Sequence, residues 1–237
     1  MSLIETPDYF FVMPRIARII APGYPHHITQ RGNNRAVVFY DDEDRQTYLD
    51  LLAGYTKRYA LQVWAWCLLD NHVHLLVVPE TEKALARGIG LTNMVYTQYF
   101  NRKYDQSGRI WQNRFFSCVV ERKTYLWAVA RYIERNPLKA GMVEQVQEYR
   151  WSSAACHVSG ADNALLHQPD WLDPAEQGAY AAYCQGEDEE QDNAIRKATR
   201  SGRPLGGDRF VTTIEQELNR TIRTKRPGRP RQQSEGK

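Results

Sequence analysis

Between Leu61 and Val78 almost every position is apolar, and only the pair Asp70-Asn71 interrupts the run with a turn. Alternation at period two on both sides of that turn predicts two strands, Leu61 to Leu69 and His72 to Val78, the second ended by Pro79. In the first of them Val63, Ala65 and Cys67 are expected on one side, and Trp64, Trp66 and Leu68 on the other. Upstream, Tyr24 to Gln30 reads as a strand followed by a turn at Arg31-Gly32-Asn33-Asn34. Asp41 to Tyr59 then switches to helical spacing, with Tyr48, Leu51, Leu52 and Tyr55 on one face and acids crowding the first turn. Thr81 to Tyr104 predicts a second helix with weak points at Gly88 and Gly90. Phe115 to Glu121 predicts a fourth strand, and Lys123 to Arg135 a third helix that Pro137 should stop near Asn136. The order βαββαβ followed by a helix is that of a ferredoxin-like split βαβ fold of the α+β class. One antiparallel sheet carries two helices on a face, with the His72 strand expected to be central.

Composition and charge add organisation. The chain has 237 residues, 42% of them hydrophobic and 11% aromatic, enough for one domain of ordinary size with appendages or for two small ones. Its net charge of +3 conceals an asymmetry. Arg15 to His157 holds 19 basic and 13 acidic residues, Val158 to Ala194 nine acids and no Lys or Arg, and Ile195 onward twelve bases against four acids. This order suggests two nucleic-acid-facing segments with a solvated spacer between them. The expected divisions are an N-terminal extension 1–13, a folded unit 14–157, an acidic linker 158–194 and a basic C-terminal segment 195–237. Within the last, Phe210, Ile214, Leu218 and Ile222 recur every four residues and predict a short helix over Phe210 to Arg223 that docks on the domain or on a partner. Cys67, Cys118, Cys156 and Cys184 have no CxxC spacing and read as free thiols of a cytoplasmic protein. No apolar run approaches the roughly 18 residues of a membrane span, and Met1 to Val12 lacks the basic start and sustained apolar core of a secretory signal.

Two short motifs carry the chemistry. His72-Val73-His74 projects two imidazoles the same way from a strand. Tyr132 and Asn136, four apart, share one face of a helix. If that helix packs on that strand, two imidazoles, an amide oxygen and a phenol converge, a set able to hold a divalent ion on a phosphate and attack it. Each motif alone is also an ordinary structural feature. A phenol with an ordinary pKa near 10 is a poor nucleophile at neutral pH. Arg114, Lys123, Arg131 and Lys139 are candidates for a basic surrounding, or for contacts to DNA backbone or solvent. His26 and His27 adjoin, so their side chains diverge and at most one faces the site. A satisfied structural role is expected for it.

The wording around these motifs is more specific than either alone. Asn71-His72-Val73-His74-Leu75-Leu76 with Tyr132-Ile133-Glu134-Arg135-Asn136-Pro137 resembles the single-tyrosine HUH transposases, and among them the REP-associated tyrosine transposases. The resemblance covers Met13 to about Ala155. It includes His27-Ile28-Thr29-Gln30-Arg31-Gly32-Asn33, Trp111-Gln112-Asn113-Arg114-Phe115 and Trp151-Ser152-Ser153, with Gly202-Arg203-Pro204-Leu205-Gly206 as in longer members. It implies that His72 and His74 are metal ligands, that Tyr132 is the nucleophile, and that Asn136 completes the metal shell where other members place Gln. The implied activity is cleavage and rejoining of single-stranded DNA near a hairpin through a 5′-phosphotyrosine, with Mg²⁺ or Mn²⁺ and no nucleotide cofactor, in a nucleoid-associated protein. Glu134 and Arg135 are expected at the surface. Members of the family act as dimers in trans or monomers in cis, and the short Arg122-Lys123 link into the tyrosine helix favours a monomer acting in cis.

For DNA contact, Arg31 and Arg35 in the early turn and Arg114 offer guanidinium groups to phosphates or base edges. Tyr96, Tyr99, Phe100 and Tyr104 suit either base stacking or core packing, and their helical spacing favours the core. In the tail, Arg226, Arg229 and Arg231 around Pro227-Gly228 resemble an AT-hook that enters a narrow minor groove. Two alternatives stand beside strand transfer. One is a hairpin-binding module without turnover, and the other an unrelated HxH phosphoesterase in which Tyr132 is structural and carboxylates such as Asp70 join the site.

Overall fold

The computed structural model describes residues 17–167 and 171–223. The N-terminal extension and the AT-hook-like tail with Arg226, Arg229 and Arg231 lie outside them. Local signals in the sequence account for most element boundaries. The Asp41 side chain accepts a hydrogen bond from the Asp44 amide at 2.9 Å, capping helix α1, Asp42–Arg58. Strand β1 spans His26–Arg31, β2 Leu61–Leu69, β3 His72–Pro79 and β4 Phe116–Val119. Helix α2, Ala84–Lys103, runs through both of its glycines without a break. At Gly88 a Cβ would lie 2.9 Å from Leu61 Cδ2, so the missing side chain lets α2 approach β2 closely. Helix α3, Arg122–Glu134, is followed at once by a single turn, α4, Asn136–Lys139, which has Pro137 in its first turn.

The sheet order is β2-β3-β1-β4, and every pairing is antiparallel. This is the ferredoxin-like order, with β3 and β1 central. Helices α1 and α2 pack together on one face, where Tyr48, Leu52, Leu85 and Tyr96 are buried. Tyr96 and Phe100 belong to this core rather than to a stacking surface, and the Tyr96 hydroxyl donates to Val38 O at 2.6 Å. Helix α3 covers β2 and β3.

One expectation fails in β2. Val63 opposes Val77 while Ala65 opposes Leu76, so a bulge at Trp64 turns the strand over. Ala65, Cys67 and Leu69 therefore share the face of His74 and His72, and Val63 lies on the other face with Trp66 and Leu68.

Both sheet edges are covered. Along β2, Leu68 N donates to Trp151 O and Ser153 N to Trp66 O, each at 2.9 Å, which is the work of the Trp151-Ser152-Ser153 motif. Along β4, Leu205 N donates to Val119 O at 2.7 Å. Gly206 follows, where a Cβ would lie 2.3 Å from the Phe210 ring, so the chain can fold tightly into α8, Asp208–Glu217. Phe210 and Ile214 of α8, with Ile222, bury against Ile19, Ala21 and Val119, so the apolar stripe docks on the domain itself.

Residues 158–194, expected as an acidic spacer, carry structure. After α5, Ala154–Ser159, comes α6, Gln177–Gln185, and the start of α7, Glu189–Ser201. Tyr180 and Cys184 of α6 are fully buried. The acids pair with bases on the tyrosine helix and the turn after it. Arg131 meets Asp192, Arg135 meets Glu187, and Lys139 meets Glu189 and Asp192. Helix α7 thereby lies across the sheet against β4 and β1.

Candidate active site

His72 and His74 leave β3 on the face that α3 covers, while Val73 enters the core beneath. Their ring centroids are 5.0 Å apart. The Tyr132 ring stands edge-on to His74 at 5.5 Å and to His27 at 5.6 Å. One chain thus brings its own tyrosine to its own histidines. A cavity of about 610 Å³ opens over them, lined also by Arg31, Gln112, Asn136, Lys139 and Arg200.

Asn136 donates through Nδ2 to Tyr132 O at 2.6 Å and to Ile133 O at 3.3 Å. Two carbonyl partners assign the amide nitrogen, so Oδ1 is the group left for the cavity. Burial, and then the charge of Arg31, lowers the pKa of His72 to about 4. Burial also holds His74 well below the usual imidazole range, with His72, His27 and Arg31 adding to the effect. Both are therefore neutral imidazoles, the form that binds metal. The donor set fits a divalent ion bound through few protein groups, namely two imidazoles and an amide oxygen. Among the described residues no group of three or more His, Cys, Asp or Glu is arranged to hold a metal. Asp70 is exposed, ion-paired to Arg45 and absent from the cavity lining, which removes the carboxylate that an HxH phosphoesterase would need.

Tyr132 is half-buried, and burial raises its pKa. Arg196, Lys139 and Arg31 act in the opposite direction, and Asp192 opposes them. Of the four bases singled out from sequence, only Lys139 lines the cavity. Arg131 is buried against Asp192 and the Tyr183 ring, Arg114 lines a neighbouring depression with Arg18 and Phe115, and Lys123 is exposed and outside the cavity. Of the proposed DNA contacts Arg31 lines the cavity, whereas Arg35 is exposed outside it.

Glu134 and Arg135 correct an expectation, since Glu134 is wholly buried and Arg135 pairs with Glu187. Sequence reasoning missed Arg196, Thr199 and Arg200 on the cavity wall, and of the adjoining His26 and His27 it is His27 that faces the site. His27 Nδ1 lies 2.7 Å from Thr199 Oγ1, and its Nε2 lies 3.1 Å from His74 Nδ1. The other three come from α7, where positions i, i+3 and i+4 share a helix face.

His26 points to the opposite face. Its Nε2 accepts from Ala21 N at 3.2 Å and its Nδ1 donates to Tyr24 O at 2.8 Å. Burial lowers its pKa to about 4 against the partial opposition of the Tyr24 carbonyl. An unfolded histidine takes up its proton near 6.5, so His26 contributes stability that is complete above that pH and lost as pH falls towards 4. The expected loss is on the order of 3 kcal/mol for this group. Denaturant unfolding followed between pH 7 and 4 checks it, and His26→Asn should flatten the acid slope whatever its effect at pH 7.

The family described as IS200-like transposases matches residues 23–136, a span from just before β1 to Asn136. A REP-associated tyrosine transposase of Haemophilus influenzae is 32% identical over 126 residues, covering 48% of this chain and 69% of that protein. Among solved structures, that of a REP-associated tyrosine transposase bound to a REP hairpin superposes with a TM-score of 0.52 at 20% identity, over 68% of this chain and 94% of that one. The structural likeness establishes the shared fold. With 32% of the aligned residues identical to those of a relative of which it covers 69%, and with its tyrosine seated beside its HxH pair, the chain belongs to the REP-associated tyrosine transposases.

Proposed function

We propose that this chain cuts single-stranded DNA beside a hairpin and rejoins strands through a covalent bond to Tyr132. The observation that carries the proposal is the single cavity shared by Tyr132, His72, His74 and Asn136. Tyr132 Oη attacks the scissile phosphorus, forming a 5′-phosphotyrosine and breaking the bond to the 3′ oxygen. The phenol gives up its proton and the departing 3′ oxygen gains one. The bond energy of the phosphodiester is kept, so a 3′-OH can later reverse the step. Arg196, Lys139 and Arg31 face the phenol and favour its ionised form, offsetting burial. Arg31, Arg196 and Arg200 offer charge to the strand's phosphates, and Gln112 and Asn113 offer hydrogen bonds.

A divalent ion, Mg²⁺ or Mn²⁺, held by His72, His74 and Asn136, would supply Lewis-acid polarisation of the phosphate. Tyr132 acts in cis, and the working unit is a monomer. Residues 14–157 carry the chemistry, and the basic segment from residue 195 extends the DNA-facing surface, with the AT-hook-like Arg226, Arg229 and Arg231 as a further grip.

The test is a hairpin oligonucleotide with single-stranded flanks, incubated with the full chain and Mn²⁺. A denaturant-resistant protein–DNA adduct should form, map to Tyr132 and vanish with chelator. If wild type binds the hairpin and never forms an adduct, the protein is a hairpin-binding module instead.

A further inference from the structure

Three buried side chains, His27, Thr199 and Cys118, are linked behind His74. Thr199 Oγ1 lies 2.8 Å from Ile195 O. A carbonyl only accepts, so the single hydroxyl proton of Thr199 is committed there. Oγ1 must then act as acceptor towards His27 Nδ1 at 2.7 Å, which places the His27 proton on Nδ1. Cys118 Sγ, 3.3 Å away, suits the same acceptor as an S–H donor. A neutral imidazole has one N–H, so His27 Nε2 holds a lone pair. That lone pair faces His74 Nδ1 at 3.1 Å, in rings only 6° from parallel, and therefore puts the His74 proton on Nδ1. The lone pair of His74 is left on Nε2. His27, His74, Thr199 and Cys118 are all at most 4% exposed, so water cannot easily replace a link.

An unrelated anchor sets His72 the same way. Asn71 Nδ2 donates to Arg35 O at 3.0 Å, which turns Oδ1 to His72 Nδ1 at 2.6 Å and fixes a proton on that nitrogen. Both histidines are thus held with Nε2 as acceptor. In the opposite tautomer an N–H would replace the lone pair on Nε2 and oppose a cation there.

We infer that His27 and Thr199 are positioning residues that lock the tautomer and orientation of His74, so that α7 governs the metal-ligating histidine from outside the segment that matches the family. Residues 23–136 include His27 but not Thr199. The inference rests on His74 being a ligand, but its first link can be measured without any metal. Partners of this kind on metal-bound histidines typically change metal affinity by roughly 10–100-fold.

The experiment uses the full chain in three forms: wild type, Thr199→Val, which keeps shape and loses the acceptor, and Thr199→Ser, which restores it. Imidazole nitrogen chemical shifts of the metal-free protein assign the tautomers, and Mn²⁺ titration followed by electron paramagnetic resonance gives affinity with hairpin DNA bound. Wild type and Thr199→Ser should carry the His74 proton on Nδ1. Thr199→Val should lose that uniform assignment and bind Mn²⁺ roughly 10–100-fold more weakly. A wild-type His74 protonated on Nε2 overturns the inference directly, even if the valine variant does not fold. So does a folded Thr199→Val with unchanged tautomer and Mn²⁺ affinity. If the expected tautomers appear yet no form binds Mn²⁺, the relay stands, and the metal assignment for His72, His74 and Asn136 is what fails.

Discussion

Replacing Tyr132 by phenylalanine is expected to leave a folded chain that still binds hairpin DNA and never becomes joined to it. The change removes one hydroxyl and keeps the ring that stands edge-on to His27 and His74 at 5.6 and 5.5 Å. Tyr132 makes no hydrogen bond through that hydroxyl to another described residue, so little packing is lost. Adduct formation should fall by a factor on the order of 10⁴ or more, the scale seen when a covalent nucleophile is deleted. Hairpin affinity should change little, because Arg31, Arg196 and Arg200, the cavity-lining charges proposed to meet phosphate, are untouched. Gel mobility shift and denaturing-gel trapping on the same oligonucleotide separate the two effects. An adduct that persists in Tyr132→Phe means that another side chain is the nucleophile.

How much of this was legible beforehand depends on the range of each signal. The period-two run through His72 and His74, and the four-residue spacing of Tyr132 and Asn136, are local patterns. They correctly placed four residues that share one cavity. The bulge at Trp64 is not local, because register is set by pairing with β3 and not by the apolar pattern of β2 alone. His27 was half-visible. Alternation places it on the same side as Thr29 and Arg31, but which side faces the tyrosine helix is decided only when β1 pairs with β3. Arg196, Thr199 and Arg200 form a helix-face pattern that nothing in the sequence ties to the histidines of β3 or to Tyr132 and Asn136, all far upstream of α7. The acidic stretch misled for a physical reason: a run of acids without bases resembles a solvated spacer, whereas here its partners sit on Arg131, Arg135 and Lys139 in another part of the chain. That pairing is what brings the basic face of α7 over the cavity. Glu134 failed in the same way, since a charged residue beside a motif reads as surface unless its distant partners are known.

Those partners make Glu134→Ala the substitution expected to cost the most stability. Glu134 Oε1 accepts from Ser153 Oγ at 2.5 Å and from His157 Nδ1 at 2.6 Å, and Oε2 accepts from Tyr180 OH at 2.9 Å. Four segments, α3, α5, α6 and the strand-like edge at Ser153, meet on one carboxyl group that is fully buried. With alanine there, Ser153 can turn its proton to Trp66 O, already 3.3 Å away. His157 has no such alternative among the described residues and Tyr180 is left with only the Cys184 thiol, a weak partner, while burial beside Glu134 already holds the Tyr180 hydroxyl well above its ordinary pKa. Each orphaned donor costs about 1–3 kcal/mol, and the missing side chain adds a cavity. The total is on the order of 3–5 kcal/mol, a large share of the roughly 5–15 kcal/mol by which a domain is stable. Glu134→Gln should cost less, about 1–2 kcal/mol, because its amide oxygen can still accept from His157 and Ser153 while its nitrogen turns to Tyr180. Urea unfolding of the three proteins at one pH gives the comparison. Because Glu134 lies two residues beyond Tyr132 on the same helix, an alanine variant that remains folded should also lose adduct yield, through a displaced nucleophile. If Glu134→Ala unfolds within 1 kcal/mol of wild type, the buried carboxyl group does not hold these helices together, and the tyrosine helix is positioned by its packing on β2 and β3 and by the α7 ion pairs.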